Sequence, residues 1–93
     1  MTGIELITDE RQRQIEKEGF TAEHDKQYTD GQLIGAAMTY AMPSDLRYPI
    51  NGIWPWTMEW FKPTPNNRIR ELTKAGALIA AEIDRRIAEG EKP

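Results

Sequence analysis

Three groups of residues in this 93-residue chain have the types and spacing to do chemistry. Glu10, Arg11, Gln14 and Glu18 recur every three or four residues, which sets them along one side of a helix. A guanidinium and an amide held at the edge of a core can grip a phosphate, a carboxylate or a base edge. The competing reading is a solvated flank whose Glu–Arg pairs contribute about 0.5 kcal/mol each. Next comes His24-Asp25, in which a carboxylate stands beside the one histidine, the side chain that titrates near neutrality. Here the competing reading is a loop pair that closes a turn. The third group is Trp54, Trp56 and Trp60, followed by Lys62 and Arg68. Indoles offer stacking faces and a donor N–H, and the two cations could meet phosphate. The helix start after Asn66-Asn67 is a further natural place for an anion. Against this, a thin helical domain needs large side chains to complete its core, so at least one indole is expected to be structural.

Other chemistries lack their residues. The sequence has no cysteine, which removes disulfides, thiolate nucleophiles and zinc–thiolate sites together. His24, Asp25 and Asp30 lack any metal-ligand spacing, so no metal site and no cofactor are expected. Ser44 is the only serine, and no Gly-x-Ser-x-Gly, phosphate loop or dinucleotide turn occurs, so no catalytic residue is assigned. The chain resembles all-α nucleoside triphosphate pyrophosphohydrolases in being short and helical. Their paired Glu-x-x-Glu and Glu-x-x-Asp signatures are nevertheless missing, and Glu82-x-Asp84 points its carboxylates to different faces.

The elements that must position these groups read as helices. Thr2 with Glu5 makes a capping box, and Gly19 ends a first helix at about 3–18, with a narrow stripe of Ile4, Ile7, Arg11 and Ile15. Residues 20–29 read as a polar loop. A second helix, about 30–42, starts from Asp30, carries an apolar face of Leu33, Ile34, Ala37, Met38, Tyr40 and Ala41, and stops at Pro43. A last helix, about 67–89, is capped by Asn66 or Asn67 and stopped by Gly90. Along it Ile69, Leu72, Gly76, Ile79, Ile83 and Ile87 recur at helical spacing, and its small residues let another helix approach closely. Residues 43–65 hold five of the six prolines and all three tryptophans. A connection this long binds something or packs on the core, and Thr57 to Phe61 fits one short helical turn. No segment alternates with period two. The expected architecture is all-α, one compact three-helix domain over residues 1–93 with a Pro/Trp-rich connection between its second and third helices.

Length and charge bound the rest. A core this small leaves a few kcal/mol of stability, and a homo-oligomer is a natural way to bury more surface. No apolar run approaches the roughly 18–20 residues that span a bilayer. The start lacks a basic region followed by an apolar one, so no signal peptide is expected. The net charge of −3 argues against nucleic acid as a partner.

Several runs together resemble a family of small proteins of tailed bacteriophages and prophages. These are Glu10-Arg11-Gln12-Arg13-Gln14, Glu18-Gly19-Phe20, Glu23-His24-Asp25, Gly31-x-Leu33, Trp54-Pro55-Trp56, Trp60-x-Lys62-Pro63 and Lys74-Ala75-Gly76-Ala77-Leu78-Ile79-x-Ala81-Glu82-Ile83. The likeness covers about residues 9–86 and implies a phage accessory protein of the host bacterial cytosol, with no assigned reaction. A helix with arginine followed by Glu18-Gly19-Phe20-Thr21 is also similar to the ryanodine-receptor repeat domain, though Phe20 stands where that pattern has tryptophan. The reading these features favour is a non-enzymatic binder of a small anionic, nucleotide-derived ligand, used to counter host defence. Its expected contacts are Arg11, Gln14, Glu18, His24, Asp25, Trp56, Trp60, Lys62 and Arg68. The alternatives are an inhibitor of a host protein acting through a tryptophan-rich surface, and a metal-dependent nucleotide hydrolase.

Overall fold

Helix α1 (Gly3–Glu18) starts on the capping box: the Thr2 hydroxyl accepts from the Glu5 amide at 3.2 Å, and the Glu5 carboxylate accepts from the Thr2 amide at 2.8 Å. It ends at Gly19, whose φ of 73° is the left-handed value that glycine adopts without a Cβ penalty. The computed structural model describes residues 1–46 and 53–93, so residues 47–52 of the aromatic connection lie outside the described residues. Within the stretch read as a loop, Thr21 caps a one-turn helix, α2 (Ala22–Asp25), by accepting from the His24 amide. Helix α3 (Gln32–Ala41) starts from Gly31 at φ 80°, not from Asp30; the Asp30 amide donates instead to the Gln32 side chain at 2.8 Å. Met42, held extended before Pro43, ends it.

Two 3₁₀ turns follow, Ser44–Leu46 and Met58–Trp60, the second inside the expected Thr57–Phe61 turn. Helix α4 (Arg68–Ala88) is capped by the Asn67 side chain, which accepts from the Arg70 amide at 3.1 Å. The fold is all-α, and no strand occurs among the described residues.

Helix α4 is the hub, packing against α1, α2 and α3. Its seam with α3 sets Ala75, Leu78 and Ala81 against Leu33, Ala36, Ala37 and Tyr40, with Trp54 closing the cluster. Alanines on both sides let the two helices come close, which replaces side-chain volume by backbone proximity. On another side of α4, Ile7 of α1 fills the space that Gly76 leaves; a Cβ there would sit 2.4 Å from Ile7 Cδ1.

This packing corrects the apolar stripes expected from sequence. Ile69, Leu72, Ile79, Ile83 and Ile87 are exposed, while Gly76, in the middle of that row, is covered by Ile7 of α1. Ile4 of the first stripe and Met38 and Ala41 of the second helix are exposed as well. The buried side of α4 instead includes Glu71, Thr73, Glu82 and Arg85. Arg85 satisfies itself within the helix, donating to Glu82 at 2.7 and 3.0 Å and to Glu89 at 2.7 Å. The Thr73 hydroxyl donates to the Ile69 carbonyl one turn back. Paired or back-bonded, such groups can be buried at modest cost.

Candidate functional site

A cleft of about 1180 Å³ opens between one edge of α1, the α2 turn, the aromatic segment and the first half of α4. Seven of the nine sequence-expected contacts line it: Gln14, Glu18, His24, Asp25, Trp56, Trp60 and Lys62. Arg11 and Arg68 lie outside its lining. Arg11 donates to Asp84 at 3.0 and 3.2 Å and to the Phe20 carbonyl at 2.7 Å, so it ties α1 to α4 and to the turn after α1. Arg68 donates to the carbonyls of Tyr40 and Ala41 at the end of α3 and to buried Glu71 at 3.0 Å. A cation at a helix C-terminus also meets the negative end of the helix dipole. Glu71 in turn accepts from the Thr64 amide at 3.0 Å, so one ion pair gathers both ends of the aromatic segment.

The rings of the cleft touch in series. Phe20 stacks on His24 at 5.5 Å, His24 meets Tyr28 at 5.8 Å, Tyr28 meets Trp56 at 5.3 Å, and Trp56 meets Trp54 edge-on at 5.5 Å. Trp54 belongs to the core, its indole N–H donating to the Thr57 carbonyl at 3.1 Å. Trp56 is half-buried, and Trp60 stands at the rim with 62% of its surface exposed. The segment is seated from below by Gly35, whose Cβ position lies 2.6 Å from the Ile53 carbonyl oxygen. It is held from the side by Tyr40, whose hydroxyl accepts from the Lys62 amide at 3.0 Å, and by Lys74, whose ammonium donates to the Lys62 carbonyl at 2.8 Å.

Although the protein is acidic overall, cations outnumber carboxylates in the lining of the cleft. Arg13, Lys17, Lys62, Arg70 and Lys74 line it against Glu10, Glu18 and Asp25. Burial favours the neutral form of Glu10, but Arg13, Arg70 and Gln14 all donate to its carboxylate and outweigh that, bringing it down to about 2. Lys17, Lys62 and Lys74 have no ion pair among the described residues. Burial, helped by nearby Arg70, pushes the Lys74 ammonium below its ordinary value, and the Tyr40 ring lies 5.3 Å from it. An anion beside Lys74 would relieve that penalty.

Among the described residues three buried side-chain polar atoms lack a hydrogen-bond partner, and all three belong to side chains lining this cleft: Gln14 Oε1, Asp25 Oδ2 and Trp56 Nε1. Leaving a buried donor or acceptor unpaired costs about 1–3 kcal/mol, so each of these atoms is a point of unmet hydrogen-bonding capacity beside the hollow. Asp25 uses its other oxygen to hold His24 Nδ1 at 2.8 Å, which leaves the second ring nitrogen of His24 as the one not held by this carboxylate. No group of three or more His, Cys, Asp or Glu in metal-holding arrangement occurs among the described residues.

Sequence reasoning passed over Arg13, Arg70, Lys74, Tyr28 and Tyr40 as lining residues. The signal was present for three of them. Arg13 shares a helix side with Glu10, Gln14 and Lys17, and Arg70 and Lys74 stand one turn apart on α4. Comparison with protein-family models, with curated proteins and with solved structures gave no match.

Proposed function

We propose that the protein binds a small, flat, anionic ligand of nucleotide type in the cleft between α1 and the aromatic segment, without transforming it. The observation that carries this reading is the set of three unpaired buried polar atoms around one aromatic, cation-lined hollow. Rings in series offer faces for a base, and Arg70, Lys74 and Lys62 offer charge for phosphate. The likeness of the chain to small tailed-phage proteins supports a setting in the host bacterial cytosol, where sequestering a nucleotide signal counters defence. Thermal melting of the purified chain with mononucleotides and cyclic dinucleotides tests it. A ligand at a hundredfold excess over its dissociation constant adds about 2.7 kcal/mol. That raises the melting temperature by roughly 10–20 °C for a chain of this size. A panel in which nothing shifts the transition refutes the proposal.

A second reading is favoured by a separate observation. Trp60 and the Ile69, Leu72, Ile79, Ile83 and Ile87 row are large apolar groups left in water. Such groups suit a protein partner, either a host factor or a second copy of this chain. Sedimentation of the wild type against Ile83→Glu distinguishes self-association, which the charge abolishes, from a monomer, which it leaves unchanged.

A further inference from the structure

Resting on the reading of the apolar row above, we infer that two copies of this chain pair through α4, antiparallel, with Ile69 on Ile87, Leu72 on Ile83 and Gly76 on Ile79. Ile69, Leu72, Gly76, Ile79, Ala80, Ile83 and Ile87 fall within about 100° of arc around α4, and no polar residue of the helix falls inside that arc. Gly76 does not interrupt the row. Ile7 of α1 lies over it, half-buried, so an isoleucine stands at that level too. The charged residues at the two edges of the arc are engaged within the chain. Arg86 donates to Glu82 at 2.9 Å and to Glu91 at 3.0 Å, and Asp84 accepts from Arg11 at 3.0 Å. Covering the row therefore strands none of these charges without a partner.

The size and makeup of this face fit a second copy. Its five large residues keep 46–66% of their surface in water, roughly 500 Å² together. A subunit of a stable dimer buries about 800 Å², and about 65% of a homodimer interface is apolar. The row supplies that apolar share by itself. A surface for a transient partner is only about as apolar as the rest of a protein, whereas this arc carries no polar side chain. The direction follows from the spacing. Ile69 and Ile87, Leu72 and Ile83, and Gly76 and Ile79 lie at nearly equal distances on either side of one point, at residues 77–78. A two-fold axis there turns the row onto itself end for end, with large side chains meeting large ones at both ends. Antiparallel pairing also sets the positive start of each α4 beside the negative end of the other, where a parallel pair brings like ends together.

The chain has no cysteine, so an introduced thiol reports on its own position. Sedimentation of the full chain should find a dimer, and Ile83→Glu should raise its dissociation constant at least about thirtyfold. Ile69→Cys and Ile87→Cys, both at exposed positions, are then treated with a short thiol cross-linker, singly and mixed. The two ends of the row stand about 27 Å apart along the helix. The antiparallel register therefore gives covalent dimers from the mixture and none from either variant alone. Covalent dimers from each variant alone reveal a parallel pair, which overturns the inference while leaving self-association intact. A dimer that cross-links in neither case, or that Ile83→Glu leaves whole, is built on another face and overturns it as well. A monomer at every concentration overturns it too, and leaves the row to a host protein.

Discussion

Replacing Gly35 by alanine tests whether the aromatic segment is seated as described. The added Cβ would stand 2.6 Å from the Ile53 carbonyl oxygen, where an ordinary carbon–oxygen contact is about 3.3 Å or more. The obstacle is backbone, so the segment must withdraw by about 0.7 Å on that contact distance. Overpacking of this kind costs about 1–3 kcal/mol. Against it, exchanging glycine for alanine inside a helix gains about 1 kcal/mol. The expected net loss is about 1 kcal/mol, or a melting temperature lower by roughly 4–8 °C. Because Ile53 leads directly into buried Trp54, withdrawal should also expose that indole and shift tryptophan emission to the red. Thermal unfolding followed by fluorescence gives both readouts. A Gly35→Ala protein that melts higher than wild type with unchanged emission would show that helix propensity outweighs the contact, and would refute the seating.

Other expectations follow from the same geometry. Gly76→Ala puts a Cβ 2.4 Å from Ile7 Cδ1 and 2.7 Å from Ile7 Cγ1, so the half-buried isoleucine must rotate about χ1, but the obstacle is a side chain and not backbone. Its cost should roughly cancel the helical gain of about 1 kcal/mol, so urea unfolding should find it more stable than Gly35→Ala. Glu10 is charged more readily in the folded chain than in the unfolded one. Its stabilisation is therefore complete above the ordinary carboxylate value of 4.5 and is lost as pH falls from there through about 2. That contribution is at most about 3 kcal/mol from the size of the shift, and nearer 2 after screening at the half-exposed arginines. Glu10→Gln should flatten this part of the stability-versus-pH curve. Arg68→Ala should cost about 2 kcal/mol, since it strips a cation from buried Glu71 while Arg68 itself is partly in water. Arg68→Lys should recover only part of that, lacking the planar fork that reaches two carbonyls and a carboxylate. Chemical denaturation reads both variants.

What the sequence made legible was local. The Thr2–Glu5 box, the Gly19 and Asn67 caps and the stop before Pro43 depend on neighbours within four residues, and each stands where spacing puts it. Helix α2 escaped notice because its four residues carry no periodic signal beyond the Thr21 cap. The isoleucine row of α4 was misleading for a tertiary reason: α3 packs against the alanine side, and in the middle of the row α1 packs on Gly76. Arg11 and Arg13 show the limit most clearly. Two positions apart, they point about 200° apart around the axis. Which of them faces the cleft is decided by where α4 lies, through Asp84 for Arg11 and through Glu10, shared with Arg70, for Arg13.

The clasp made by Arg68 and Glu71 has a bearing on how this protein can change over generations. One guanidinium holds the end of α3, and its carboxylate partner holds Thr64. The chain therefore leaves and rejoins its scaffold at a single stapled point, much as hypervariable loops spring from a constant frame. Between the two stems, positions other than the seated Ile53 and Trp54 and the anchored Lys62 can be exchanged while the stems keep their register. Closing a longer excursion adds only about 0.6 kcal/mol per doubling of length. Descendants could thus acquire new molecular tastes by rewriting the exposed positions of the excursion, with Trp54 and the helices beneath inherited nearly verbatim.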